Sequence, residues 1–201
     1  MGNIRVAWRL AEAYRRVAVV IVLMSTAGAG AIVAQSSAGG RGASLPATAC
    51  ASDTTYHPFD FWIGRWAVQD SAGKALGTDE VSPIMGGCAF VELWHDADGS
   101  EGQSLFYYAT DQRRWKQVWV TPSAPLVGGY KEKRLIAKRT GEMVRFQGEV
   151  VGPRAIILDR TTLTSLSGGR VYQAIEISRD GGATWFVNFN AIYVPRSAKE
   201  R

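Results

Sequence analysis

Residues 102–121 read GQSLFYYATDQRRWKQVWVT. On an extended chain alternate side chains share a face, so Ser104, Phe106 and Tyr108 fall together. After the turn at Asp111-Gln112, Trp115, Gln117 and Trp119 share a face, and Arg114 and Lys116 share the other. This is the pattern of two antiparallel strands with an aromatic inner face and a solvated outer one. The same pattern recurs on both sides. Upstream lie Gly64–Asp70, Leu76–Ile84 and Cys88–His95; downstream lie Val127–Lys138, Met143–Val151, Ala155–Leu166, Arg170–Arg179 and Thr184–Val194. Turn residues separate them, among them Met85-Gly86-Gly87, Asp96-Ala97-Asp98-Gly99, Gly152-Pro153 and Asp180-Gly181-Gly182. The reading is all-β, with about ten strands in a single antiparallel up-and-down meander. A meander of this length leaves two raw edges unless it closes, and closure into a barrel removes them. A sandwich is the alternative, but it needs longer crossovers than these short connections provide. No long helix is expected after residue 58. Tyr56–Ile63 is expected to form one short turn, with Phe59, Phe61, Trp62 and Ile63 capping one barrel end.

The 201 residues carry a formal charge of +5, are 46% apolar, and include seven each of Trp, Tyr and Phe. That is enough for one domain with a substantial core and excludes a largely disordered chain. Of the excess charge, +3 sits in residues 1–34, where Arg5, Arg9, Arg15 and Arg16 face only Glu12. The domain is therefore near neutral, and the basic balance does not mark a nucleic-acid binder.

Val17–Ala34 is eighteen residues without a charge. With the preceding arginines and small residues near Ala34 it reads as a signal peptide over 1–34, with the exported chain starting near Gln35. The other reading is an uncleaved membrane anchor, the only membrane contact expected, since eighteen apolar residues just span a bilayer. The internal glycines favour cleavage. Residues 35–58, rich in Gly, Ala, Ser and Thr, read as a flexible linker. The barrel is expected over 59–195, followed by a polar tail, 196–201. Expected localisation is periplasmic or extracellular.

Four segments in order carry a resemblance. They are Phe59-Asp60-Phe61-Trp62-Ile63-Gly64-Arg65-Trp66, then Met85-Gly86-Gly87-Cys88 with Glu92-Leu93-Trp94, then Arg114–Val120, then Ser178–Trp185. In this order the chain resembles a bacterial domain-of-unknown-function family of calycin-like β-barrels, over about residues 56–195. The resemblance implies a lipocalin-like barrel and implies no activity. Gly64-x-Trp66 also resembles the Gly-x-Trp of lipocalins, in which the Trp plugs the barrel floor. Trp66 is therefore expected to be buried against the last strands. Haem-binding calycins carry a His on a late strand; this chain has none after His95, and no cofactor is expected.

Ser178-x-Asp180-x-Gly182-x-Thr184-Trp185 matches the Asp-box pattern of sialidases. A single copy has no propeller to repeat in, so it reads as a structural hairpin: Asp180 accepts turn amides, Gly182 supplies positive φ, and Trp185 packs beneath. Cys50 and Cys88 are the only thiols. Export permits a bridge closing a loop of ~37 residues, worth roughly 3–4 kcal/mol by chain entropy. The alternative is a buried free Cys88 with Cys50 exposed. His57 and His95 read as surface or structural residues, and no metal site is expected. The interleaved bases and aromatics of 113–119 could stack single-stranded nucleic acid, but their parity points to a solvated face over a core face. There is no Gly-x-Ser-x-Gly elbow, phosphate loop or His-Glu-x-x-His.

Parity places Phe90, Glu92 and Trp94 on one face, Ile156, Leu158 and Arg160 on another, and Val171, Gln173 and Ile175 on a third. The expected site is a lumenal pocket. Glu92 and Arg160 would pair across it, with Tyr108, Gln117 and Gln173 completing hydrogen bonds and Trp94 and Trp119 as walls. Its expected occupant is a small, largely apolar ligand. The alternatives are an enzyme using Glu92 or His95 as acid or base in the same cavity, or an envelope protein working through protein contacts.

Overall fold

In the computed structural model, residues 50–123, 129–151 and 155–196 are described. Ten strands form in chain order: β1 (Gly64–Gln69), β2 (Ala75–Ile84), β3 (Ala89–Asp96), β4 (Glu101–Ala109), β5 (Arg114–Val120), β6 (Tyr130–Arg139), β7 (Met143–Val151), β8 (Ile156–Ser165), β9 (Val171–Ser178) and β10 (Phe186–Pro195). Each pairs antiparallel with its sequence neighbours, and β1 pairs with β10 to close the barrel. The sandwich is thereby excluded. The closing seam runs from Trp66↔Pro195 to Gln69↔Ile192, extended by the Arg196 amide donating to the Arg65 carbonyl at 2.8 Å. Among the described residues no helix is long and apolar enough to cross a membrane. The expected leader, the first part of the linker and residues 197–201 lie outside the described residues.

The interior has two halves of different chemistry. One end is filled by aromatic rings: Phe59, Trp62, Trp66, Phe90, Phe106, Trp115, Phe146 and Tyr193 are all buried. Phe59 and Trp62 come from the segment before β1, where residues 54–56 and 60–62 form two 3-10 turns. Phe59 is fully buried and meets Phe90, Trp115, Phe106 and Phe146 with ring centroids 4.8–6.2 Å apart. Trp66 is buried as expected, its ring edge-on to Tyr193 and its Nε1 donating to the Trp62 carbonyl at 3.0 Å.

The linker expected over 35–58 is too long at its C-terminal end. Residues 50–58 are a strap on the plugged end, despite their small-residue composition. Cys50 is buried and disulfide-bonded to Cys88. The Asp53 carboxylate accepts the Thr55 amide, the Thr55 carbonyl accepts Trp115 Nε1 at 2.9 Å, and Tyr56 packs edge-on against Tyr108 and Trp115. A crosslink, two aromatic contacts and the Trp115 hydrogen bond outweigh the entropy of ordering a short polar segment.

β10 starts two residues later than its apolar pattern suggests. Asp180 accepts both the Thr184 amide (2.9 Å) and the Thr184 hydroxyl, and Trp185 Nε1 donates to the Gly182 carbonyl, so both residues stay in the turn. Gly181 and Gly182 supply its positive φ values, 71° and 97°. These contacts form a hairpin turn at the expected residues.

Candidate functional site

Above the aromatic plug the lumen turns polar. Asp79 (β2), Glu92 (β3), Ser104 (β4), Gln117 (β5), Lys133 (β6), Asp159 and Thr161 (β8) and Gln173 (β9) are all buried. They sit at inward positions of successive strands, so the closed register collects them into one layer. Two networks organise it. Gln117 Nε2 donates to Ser104 Oγ at 3.0 Å, and Ser104 Oγ donates to Glu92 Oε2. On the facing strands Lys133 Nζ donates to Asp159 Oδ1 and to Thr161 Oγ1 (2.7 Å), while Lys131 Nζ donates to Asp159 Oδ2 at 2.7 Å. The Tyr193 hydroxyl donates to Gln173 Oε1 at 3.0 Å. Among the described residues, neither Asp79 oxygen has a side-chain partner, and Gln117 Oε1 has no hydrogen-bond partner. Orphaned buried acceptors are uncommon, and each costs free energy unless a proton or a guest supplies the missing donor.

Over this layer lies a cavity of about 210 Å³, lined below by Glu92, Gln117, Lys133, Thr161, Gln173 and Tyr193. Trp94, Trp119, Ile175 and Phe189 form its apolar walls, with Asp96 and Lys131 completing the lining. Trp94 and Phe189 meet edge-to-face at 6.2 Å. Trp119 lies flat on β4 because position 102 is glycine: a Cβ there would stand 2.3 Å from the indole ring.

Of the residues expected at the site, Glu92, Trp94, Gln117, Trp119 and Gln173 are brought together. Arg160 is not. It lies on the outer face, where Nε and Nη2 donate to the Glu176 carboxylate at 2.7 and 2.9 Å and the guanidinium stacks 3.8 Å over Trp185. The inward positions of β8 are Asp159, Thr161 and Leu163, and the expected Glu92–Arg160 pair does not exist. Its apolar residues mislead: Leu158 packs beneath the hairpin at Gly182, and Ile156 is exposed. Tyr108 has the expected inward parity but sits at the plugged end, against Tyr56 and Trp115. His95 follows the inward Trp94 and is exposed on the outer face, so it takes no part in the cavity. His57 is held by the Asp60 carboxylate (2.7 Å) and the Ala51 carbonyl (2.9 Å), as a structural histidine of the strap.

The electrostatics are those of a buried layer. Burial pushes Glu92 up to about 7, against the Ser104 hydrogen bond and the charge of Lys133, which pull the other way. Burial, reinforced by the Glu92 charge, holds Asp79 well above the ordinary carboxyl range. Burial also works to raise Asp159, but the two ammonium groups outweigh it and keep it ionised. Burial lowers Lys133, with the Asp159 charge opposing.

A pH dependence follows. The unfolded chain releases the Glu92 proton near 4.5, whereas the folded chain holds it to about 7. Stability is therefore fully present below the lower value and falls as pH rises between the two, by about 3 kcal/mol. Asp79, also raised, adds in the same direction. Glu92→Gln is expected to remove most of this decline. Urea midpoints compared near pH 5 and pH 8 check it, and an equally steep decline in the variant would assign the loss to another group.

No protein-family model matches the chain, and no curated protein matches it.

Proposed function

We propose that this is an exported β-barrel that binds a small molecule in its lumen, with an apolar body between Trp94, Trp119 and Phe189 and a polar end on the Glu92–Gln117–Lys133 layer. The observation that carries the reading is the mixed cavity itself. Tryptophan walls stand over a polar floor with an unpaired acceptor, Gln117 Oε1. Ligand sites combine apolar walls with a few convergent polar groups in this way. Drug-sized sites run to roughly 300–1,000 Å³, so a cavity of about 210 Å³ suits a small guest. Export is supported by the leader pattern of residues 1–34 and by the Cys50–Cys88 disulfide, a bond of oxidising compartments.

A second reading, catalysis in the same cavity, rests on Glu92. A carboxyl titrating at about 7 beside an ammonium group suits proton transfer. Binding is favoured because Lys133 and Thr161, the groups beside it that could react, are tied into the Asp159 network.

The test is native mass spectrometry of protein purified from the expressing cell's envelope and medium. The expected spectrum shows a chain starting near Gln35 with a small non-covalent adduct. Gly102→Ala, which pushes Trp119 off β4 into the cavity, is expected to abolish the adduct. An adduct retained at full occupancy in that variant, or none in the wild type, defeats the reading.

A further inference from the structure

The plugged end carries a second concavity, of about 620 Å³, between the strap, the β4–β5 turn and β6. Arg113, Arg114, Arg134 and Lys138 line it, with Thr54, Thr55 and Tyr108 among its other residues, and among the described residues no carboxylate does. Among the described residues none of the four cations forms an ion pair. Arg114 donates only to the Gln112 carbonyl. Four cations around one hollow in a near-neutral domain repel one another, and no ion pair among the described residues offsets this.

Three features of the backbone concentrate the charge here. Arg113 occupies a left-handed conformation, φ 49°. Glycine or asparagine adopts that conformation at lower cost, and strain of this kind gathers where a side chain is used. On the outer face Lys116 stands directly opposite Arg134 across β5 and β6, a like-charge pairing that destabilises a sheet. Finally, β6 is bulged between Leu135 and Ala137. The extra residue reverses parity, so Lys138 pairs with the buried Val144 and takes the inward side, while Arg134 stays outward. Without the bulge both would face out from the barrel wall. With it, cations from both sides of β6 border one hollow at the barrel's end.

We propose that this groove binds a multiply charged phosphate-bearing anion, independently of the lumenal site. Three guanidinium groups present planar forks that match phosphate oxygens. A single negative charge would leave most of the four cations unmatched. The same chemistry could come from a soluble phosphorylated molecule or a phospholipid headgroup.

Calorimetric titration with inorganic tripolyphosphate at low ionic strength is the first arm. Sedimentation with phosphatidylcholine vesicles, with and without phosphatidylglycerol, is the second. The variant is Arg113→Gly combined with Arg134→Gln: glycine relieves the φ strain and Arg134 is exposed, so the fold is kept. Binding in either arm that weakens with salt, and at least tenfold in the variant, supports the groove. Tripolyphosphate binding names a soluble source, and vesicle binding alone names a headgroup. Silence in both arms, or equal binding by wild type and variant, overturns the proposal. So does preference for a single-stranded oligonucleotide over tripolyphosphate at equal charge, which would make the patch a nucleic-acid interface.

Discussion

Replacing Trp66 with alanine is expected to lower the unfolding free energy by about 3–5 kcal/mol, the range for deleting a large buried aromatic. Three losses combine. The indole is 4% exposed, so nearly all of its apolar surface leaves water on folding. Its ring rests edge-on against Tyr193, which belongs to the strand that closes the barrel onto β1. Its Nε1 also satisfies the Trp62 carbonyl at the end of the second 3-10 turn. Alanine would leave that carbonyl buried without this donor. Chemical denaturation followed by far-UV dichroism measures the effect. A loss below about 1 kcal/mol would mean that the plug repacks around the gap.

Lys133→Ala is expected to be comparably damaging, by about 3–5 kcal/mol, for an electrostatic reason. Lys133 and Asp159 are both almost completely buried and bonded to each other. Removing one member of a buried pair leaves the other charge uncompensated. Lys131 remains, but its side chain is at the wetter edge of the layer. The deficit should be largest at neutral pH and shrink in acid, where the abandoned Asp159 accepts a proton. The double variant Lys133→Met, Asp159→Leu is expected to recover most of the loss, because an apolar pair of similar volume carries no desolvation cost. Failure of the double variant to recover would show that the Thr161 bond and layer geometry, not the charge, set the cost.

The strand plan was legible because turn chemistry punctuates it. All ten strands lie where alternation and the intervening turn residues place them, to within a few residues. Inward parity was legible where one face is aromatic, as on β3 and β5, and where Val171 and Ile175 make it apolar on β9. It failed on β8, where Ile156 and Leu158 are apolar on the outside because a hairpin covers Leu158, and Asp159 is polar on the inside because two lysines await it. On β6 parity gave no signal. In Lys131-Glu132-Lys133-Arg134 both faces are charged, so alternation of hydrophobicity cannot say which lysines enter the lumen. Half of the polar layer therefore appears only once the barrel closes, since its logic is pairing between β6 and β8, 28 residues apart for Lys131 and Asp159. The strap was missed for the opposite reason: its composition is that of a linker, and only the disulfide and Tyr56 distinguish it.

The seam between β1 and β10 has a kinetic consequence. Every other strand pair joins neighbours in sequence, while this one joins the two ends of the sheet, through four register pairs against nine for β7 and β8. Its closure entropy is the largest in the molecule and its ladder is short. The sheet can therefore grow hairpin by hairpin as an open ribbon, with the seam as its last step and, in the native state, its first point of breathing. Such opening would expose two free strand edges together with the rings of Trp66 and Tyr193. Resistance to self-association during folding thus rests on how quickly Trp66 and Tyr193 lock the seam.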